Sequence, residues 1–142
     1  MASVGLLEDN PRIAKLCSTF LHLAGHHVII YENSQQCLQA LLWQSKKHDG
    51  LSSIHENTQT SSLPVEVLIM DLSLPDMSGL DVLRYLTSHP HTQALPLIVC
   101  TAAGKSEVAK ARHVAPHVGI VEKPFKLQTL VSAIADALHT HA

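Results

Sequence analysis

No apolar run of about 18 residues occurs in this sequence, so nothing in it has the length to span a bilayer. An excess of positive charge is also missing. Ten Lys and Arg stand against 12 Asp and Glu, a formal net charge of −2, and direct binding to nucleic acid is not expected. Charged residues are sparse at 15%, while the hydrophobic fraction of 46% is that of an ordinary globular protein. The N-terminus lacks the basic stretch of a signal peptide and reaches Glu8-Asp9 early, so a cytoplasmic location is expected. Cysteine is scarce: Cys17, Cys37 and Cys100 fall inside apolar patterns with no paired spacing, which fits small buried hydrophobes in a reducing compartment. Histidine is plentiful, with 11 residues, but scattered. His26-His27, His89-Pro90-His91 and His139-Thr140-His141 form neither a helical HxxxH nor a Cys-His ligand set.

What is present alternates. At 142 residues, the chain has room for one domain, 1–142, with a core that needs no disulfide or metal. Short apolar runs at Ser3–Leu7, His27–Tyr31, Val65–Met70, Pro96–Cys100 and Gly119–Glu122 read as strands. Between them lie helical patterns. Pro11 suits a first turn, and Ile13, Leu16, Cys17, Phe20, Leu21 and Leu23 recur at helical spacing before Gly25, a natural C-terminal cap. Ser34 can cap a helix bearing Cys37, Leu38, Ala40, Leu41 and Leu42, and Ser78 one bearing Leu80, Val82, Leu83 and Leu86. Lys105 to about Val114 is a weaker helix, and Lys126 to His139 closes the chain. His48–Pro64 breaks the rhythm with Ser, Thr, Asn, Gln and His, and reads as a long surface loop. Five strands alternating with five helices predict an α/β fold around a parallel sheet, with no repeat.

Chemistry gathers where strands end. Glu8-Asp9 follow the first strand, Asp71 the third, Thr101 the fourth and Lys123 the fifth. Ligands of a parallel α/β sheet bind outside the carboxyl ends of its strands, so these groups are expected in one crevice. Taken singly, each is an ordinary cap, strand end or exposed lysine; their joint placement is what points to a site. Clustered carboxylates repel one another unless a cation enters, and Mg²⁺ suits oxygen ligands shared with phosphate. A carboxylate such as Asp71 is a competent nucleophile that can form an acyl phosphate. Mg²⁺, the Lys123 ammonium and the Thr101 hydroxyl would cancel charge on the transferring group.

Three segments, Met70-Asp-Leu-Ser-Leu-Pro-Asp-Met-Ser-Gly-Leu80, Cys100-Thr-Ala102 and Glu122-Lys-Pro-Phe125, resemble the receiver domains of bacterial two-component response regulators. The resemblance runs from Ser3 to about His139. It implies a flavodoxin-like, doubly wound five-stranded sheet of order 2-1-3-4-5 with five helices. It makes Asp71 the phosphoacceptor, Thr101 the switch hydroxyl and Lys123 the lysine that pairs with the phosphoryl group, joined to Pro124 by a cis peptide. Asp9 and Asp71 become direct Mg²⁺ ligands, Glu8 acts through water, and the Ser73 backbone carbonyl completes the protein ligands. Departures from the family stand beside these matches. Ile120 replaces an aromatic three residues before Lys123, which puts the usual aromatic readout in question. Pro116-His117 replaces a Gly-Ala step and is expected to shorten or redirect the end of the fourth helix. Ala103 offers no polar side chain to an attacking water.

The implied function is a signalling switch. A sensor histidine kinase or phosphotransfer protein supplies the phosphoryl group. Phosphorylation then biases the face of the fourth helix, fifth strand and fifth helix toward a downstream effector protein. Few residues follow Lys123, so no output domain is expected. Homodimerisation through the output face is left open. Two alternatives are an interaction-only receiver that does not cycle phosphate and a phosphatase-type enzyme with an aspartyl nucleophile. The enzyme would need a second catalytic Asp shortly after Asp71, and Asp76, after a proline, better suits a surface turn. Dinucleotide binding is weaker still, because no GxGxxG follows the first strand.

Overall fold

The computed structural model describes residues 2–43, 63–102, 104–124 and 126–140. Most of the predicted His48–Pro64 loop lies outside the described residues, as do Ala103 and Phe125. The elements run β1 (Ser3–Leu7), α1 (Pro11–Leu23), β2 (His27–Tyr31), α2 (Ser34–Leu38, extended by a π-helical turn Gln39–Trp43), β3 (Val67–Asp71), α3 (Gly79–Ser88), β4 (Leu97–Thr101), α4 (Lys105–Val114), β5 (Gly119–Glu122) and α5 (Leu127–Thr140). The five strands form one parallel sheet of order β2-β1-β3-β4-β5, and five α-helices accompany it among the described residues. No described helix is long and apolar enough to cross a membrane.

Both faces of the sheet are covered, which is why its central strands read as unbroken apolar runs. Leu68 and Met70 of β3 pack into one core with Cys37, Leu38, Val82, Leu83, Leu86 and Ala111 from α2, α3 and α4. Val67 and Ile69, pointing the other way, join Ala14, Cys17, Leu21, Leu130 and Ile134 from α1 and α5. All three cysteines are buried and free. Burial pushes the Cys37 and Cys100 thiols up to about 12.

Local chemistry sets the helix ends. The Asn10 side chain accepts from the amides of Arg12 (2.9 Å) and Ile13 (3.3 Å), with Pro11 at the first helical position. Gly25, at φ 96°, ends α1 as expected of a residue free to enter the left-handed region. Asn33 caps α2, where Ser34 was expected; Ser34 is instead the first helical residue. The helix α4 stops at Val114, two residues short of Pro116. Ala115 leaves helical geometry, as the residue before a proline is pressed to do, and its carbonyl accepts from Val118 (3.0 Å).

The first helix buries fewer of its apolar residues than recur at helical spacing: only Ala14, Cys17 and Leu21 are buried. Ile13, Leu16, Phe20 and Leu23 are 37%, 56%, 39% and 78% exposed.

Candidate functional site

The crevice lies at the carboxyl ends of β1, β3, β4 and β5, and register places its groups. Asp71 pairs across the sheet with Cys100, and Thr101 with Glu122, so Asp71, Thr101 and the start of the Lys123 loop are lateral neighbours. The Lys123 amide donates to the Thr101 carbonyl (2.8 Å), locking that loop to β4. The Lys123–Pro124 peptide is cis, as the resemblance implied.

Lys123 is the hub. Its Nζ lies 2.5 Å from Asp71 Oδ2 and 4.0 Å from Glu8 Oε1. The other Asp71 oxygen, Oδ1, accepts from the Ser73 amide (3.0 Å), which fixes the carboxylate plane. Glu8 is buried, 7% exposed, and its Oε2 accepts from the Asn10 amide (3.2 Å). Asp9 is exposed beside it, and Thr101 is buried at the end of β4. The structure therefore brings Glu8, Asp71, Lys123 and Thr101 together, with Asp9 and Ser73 at the margin.

Burial pushes the Glu8 carboxyl above its ordinary range. The Asn10 amide and the Lys123 charge pull the other way, while Asp71 and Asp9 add like-charge repulsion. Burial also works against the Lys123 ammonium, but the Asp71 hydrogen bond and the charges of Asp71 and Glu8 outweigh it and hold its pKa above the usual value. One lysine thus faces two enclosed carboxylates with a third nearby. Among the described residues, no three carboxylate, imidazole or thiol side chains converge closely enough to hold an ion by themselves. A cation here would take few side-chain ligands and keep its waters. The all-oxygen donor set fits a hard ion of the Mg²⁺ kind on that count.

Two supporting residues were not legible as such. Gly79 opens α3 against the backbone just after Asp71: an added Cβ would lie 2.5 Å from the Leu72 Cα and 2.9 Å from the Asp71 carbonyl oxygen. The Gly79 amide donates to the Leu72 carbonyl (3.0 Å), so α3 clamps the turn that carries Asp71. Asp76 is more than a turn residue. Its two oxygens accept from the amides of Ser34 (3.1 Å) and Gln35 (3.0 Å), tying the loop after Asp71 to the start of α2. The signal for Gly79 was the Ser-Gly step at the helix start; nothing local revealed the partner of Asp76, 42 residues away.

Comparison with known proteins agrees with this geometry. The response regulator receiver domain family matches residues 4–135. The chain is 35% identical over 82 residues to a chemotaxis protein CheY homolog of Campylobacter jejuni, covering 57% of this chain and 62% of that one. It is 25% identical over 108 residues to the signal transduction histidine-protein kinase BarA of Escherichia coli, covering 74% of this chain and 10% of the kinase. The chain thus spans less than two thirds of the length of these relatives. Among solved structures, chemotaxis protein CheY4 of Vibrio cholerae superposes with a TM-score of 0.75 at 20% identity, covering 97% of this chain and 99% of that one. A receiver domain protein from Clostridium thermocellum gives 0.71 at 23%, covering 99% and 96%. At such identities the structures speak for the fold alone, whereas the family match runs from the first strand into the last helix: the chain belongs to the response regulator receiver domains of two-component signalling.

Proposed function

We propose that this receiver domain is a phosphoryl-accepting switch with Asp71 as its acceptor. The observation that carries the reading is the Lys123 ammonium, 2.5 Å from Asp71 and 4.0 Å from Glu8 at the mouth of the sheet. An Asp71 oxygen bonds to phosphorus as the donor's bond to phosphorus breaks, leaving an acyl phosphate on the protein. The Ser73 amide holds Asp71 Oδ1 and so orients the carboxylate. Lys123 balances charge on the phosphoryl oxygens, and the Thr101 hydroxyl takes one of them as acceptor and hydroxyl draw together. Glu8, Asp9, Asp71 and the Ser73 carbonyl would hold Mg²⁺, which supplies further cancellation of phosphoryl charge. The chain in this reading assists its own phosphorylation and turns over no separate substrate. The histidine kinase among its relatives supports a sensor kinase or phosphotransfer protein as donor, with output by contact with a downstream effector protein.

Incubation with acetyl phosphate and Mg²⁺, followed by intact-mass measurement, tests this. The expected result is a gain of one labile phosphoryl group, lost in Asp71→Asn and on chelation of the metal. Lys123→Ala should slow its appearance by about a hundredfold. An adduct that persists in Asp71→Asn, or none with any small donor, would overturn the assignment.

A further inference from the structure

A second cleft lies at the opposite end of the sheet from Asp71. The crevice stands at the carboxyl ends of the parallel strands, whereas this cleft, of about 350 Å³, opens where β4 begins at Leu97 and the chain enters β5 through Val118. Thr87 and Ser88, the last residues of α3, line one side of it. The end of α4 and the loop 115–118 line the other. That loop holds Pro116-His117, the departure from the receiver pattern that phosphoryl chemistry leaves unused.

The lining is selective in what it can accept. Leu95, Leu97, Ala115 and Val118 belong to the core yet remain 6–7% exposed, while Val82, Leu83 and Leu86 of the same core are 0% exposed. Those four supply an apolar floor. None of the described residues around the cleft is Asp, Glu, Lys or Arg, so a charged guest would leave water without meeting a counter-charge. The polar groups present are weighted toward acceptors. The Thr87 hydroxyl donates to the Leu83 carbonyl (2.8 Å) and the Ser88 hydroxyl to the Arg84 carbonyl, which leaves each oxygen with lone pairs and no hydrogen to offer. The amides of Gln93, Leu95, Ala115 and Val118 already donate to the carbonyls of His89, Thr92, Ala111 and Ala115. Pro116 has no amide hydrogen at all. An apolar floor with acceptors at its rim suits a neutral guest that donates a hydrogen bond, and the volume suits about two fused rings.

We propose that this cleft binds a small uncharged aromatic molecule bearing an O–H or N–H, of the phenol or indole class. Its ring covers Leu95, Leu97, Ala115 and Val118, and its donor reaches the oxygen of Thr87 or Ser88. Such a guest touches the ends of two helices at once. Since α4 buries only Ala111 of its own residues, contacts that join its end to α3 hold it in place. The inference does not rest on phosphoryl transfer at Asp71.

The probes are 2-naphthol, which donates through its O–H, 2-methoxynaphthalene, which cannot, and 2-naphthoate, which is charged. Each is titrated into the isotope-labelled full chain and followed by amide shifts. 2-Naphthol should bind with a dissociation constant of about 1 mM or tighter and shift amides of residues 87–97 and 114–119. The methyl ether should bind about fivefold more weakly, the effect of one lost hydrogen bond, and 2-naphthoate more weakly than 2-naphthol. In the double variant Thr87→Val, Ser88→Ala, 2-naphthol and its ether should bind equally, a ratio that stays readable even if the variant is less stable. With 2-naphthol bound, amides of Lys105–Val114 should exchange more slowly, and Asp71→Asn should bind it as the parent does. Equal binding of 2-naphthol and its ether by the parent, or tighter binding of 2-naphthoate, would overturn the proposal. So would shifts centred on α1 or on the Asp71 crevice, no binding at 10 mM (about ten times the expected constant), or a preference for 2-naphthol that survives the double variant.

Discussion

Asp71 and Lys123 carry the proposed chemistry, but the turn that bears Asp71 is held by a residue with no side chain. Gly79 lets α3 start in contact with the backbone of Leu72, and a methyl group there would sit 2.5 Å from that Cα. Neither wall is a flexible side chain that could swing aside, so the turn itself has to move. Gly79→Ala is expected to lower stability by about 1–3 kcal/mol in urea unfolding, against the usual benefit of Ala over Gly in a helix. The same variant should slow phosphorylation by acetyl phosphate, because Asp71 moves with the turn. Stability equal to or above the parent would show that the turn relaxes without cost. Strand-end residues such as Asp71 and Thr101 were legible because a buried strand announces its own end. The clash at Gly79 was not, since it depends on how closely a helix approaches a strand that precedes it by several residues.

At the scale of elements, periodicity located every described helix but did not reveal what covers it. The stripe Ile13, Leu16, Phe20 and Leu23 has the spacing of a core face, yet the sheet takes only Ala14, Cys17 and Leu21. Hydrophobic spacing reports that a face is apolar, not which neighbour meets it. The short helix α2 shows the complementary gap. Its first turn is satisfied by Asn33 locally and by Asp76 from the acceptor loop, a contact no window of sequence contains. Against the desolvation that opposes it, the amides of Gln35 and Ser34 hold the Asp76 carboxyl below its ordinary range. A carboxylate with a lowered folded pKa stabilises above its unfolded value, here 3.8, and that contribution is lost as pH falls through the folded value. Asp76→Ala should therefore cost about 1 kcal/mol at neutral pH, the size of a helix cap. Its difference from the parent should shrink as urea unfolding is repeated at pH below 3.8. A difference that stays constant into acid would mean that the charge of Asp76 contributes nothing to the cap.

Across the whole molecule, anchoring is uneven, and the unevenness indicates where a switch would act. The helix α3 buries Gly79, Val82, Leu83 and Leu86, whereas α4 buries only Ala111. Among the described residues no side chain caps the start of α4 at Gly104, and its Glu107–Lys110 pair is an exposed contact of 3.5 Å that adds little. Beside it, β5 is an edge strand that pairs with β4 alone among the described residues. Thr101, buried at the end of β4, connects this loosely held edge to the acceptor. A segment with few buried apolar contacts opens and shifts at the lowest free-energy cost, so a small rearrangement at Asp71 has α4 as its cheapest outlet. Ile120 faces the core on the α4 side as a partly buried aliphatic. In the proposed switch, an aliphatic at position 120 makes displacement of α4 and β5, rather than an aromatic ring turning inward, the readout expected of this face. Hydrogen exchange with and without beryllofluoride and Mg²⁺ checks this directly. In the free protein, amides of Lys105–Val114 should exchange faster than those of Gly79–Ser88. The phosphoryl mimic should change protection in α4 and β5 while leaving α3 as it was. Identical exchange in both states would remove the conformational switch, and a change confined to α1 would move the output to the sheet face that α1 covers.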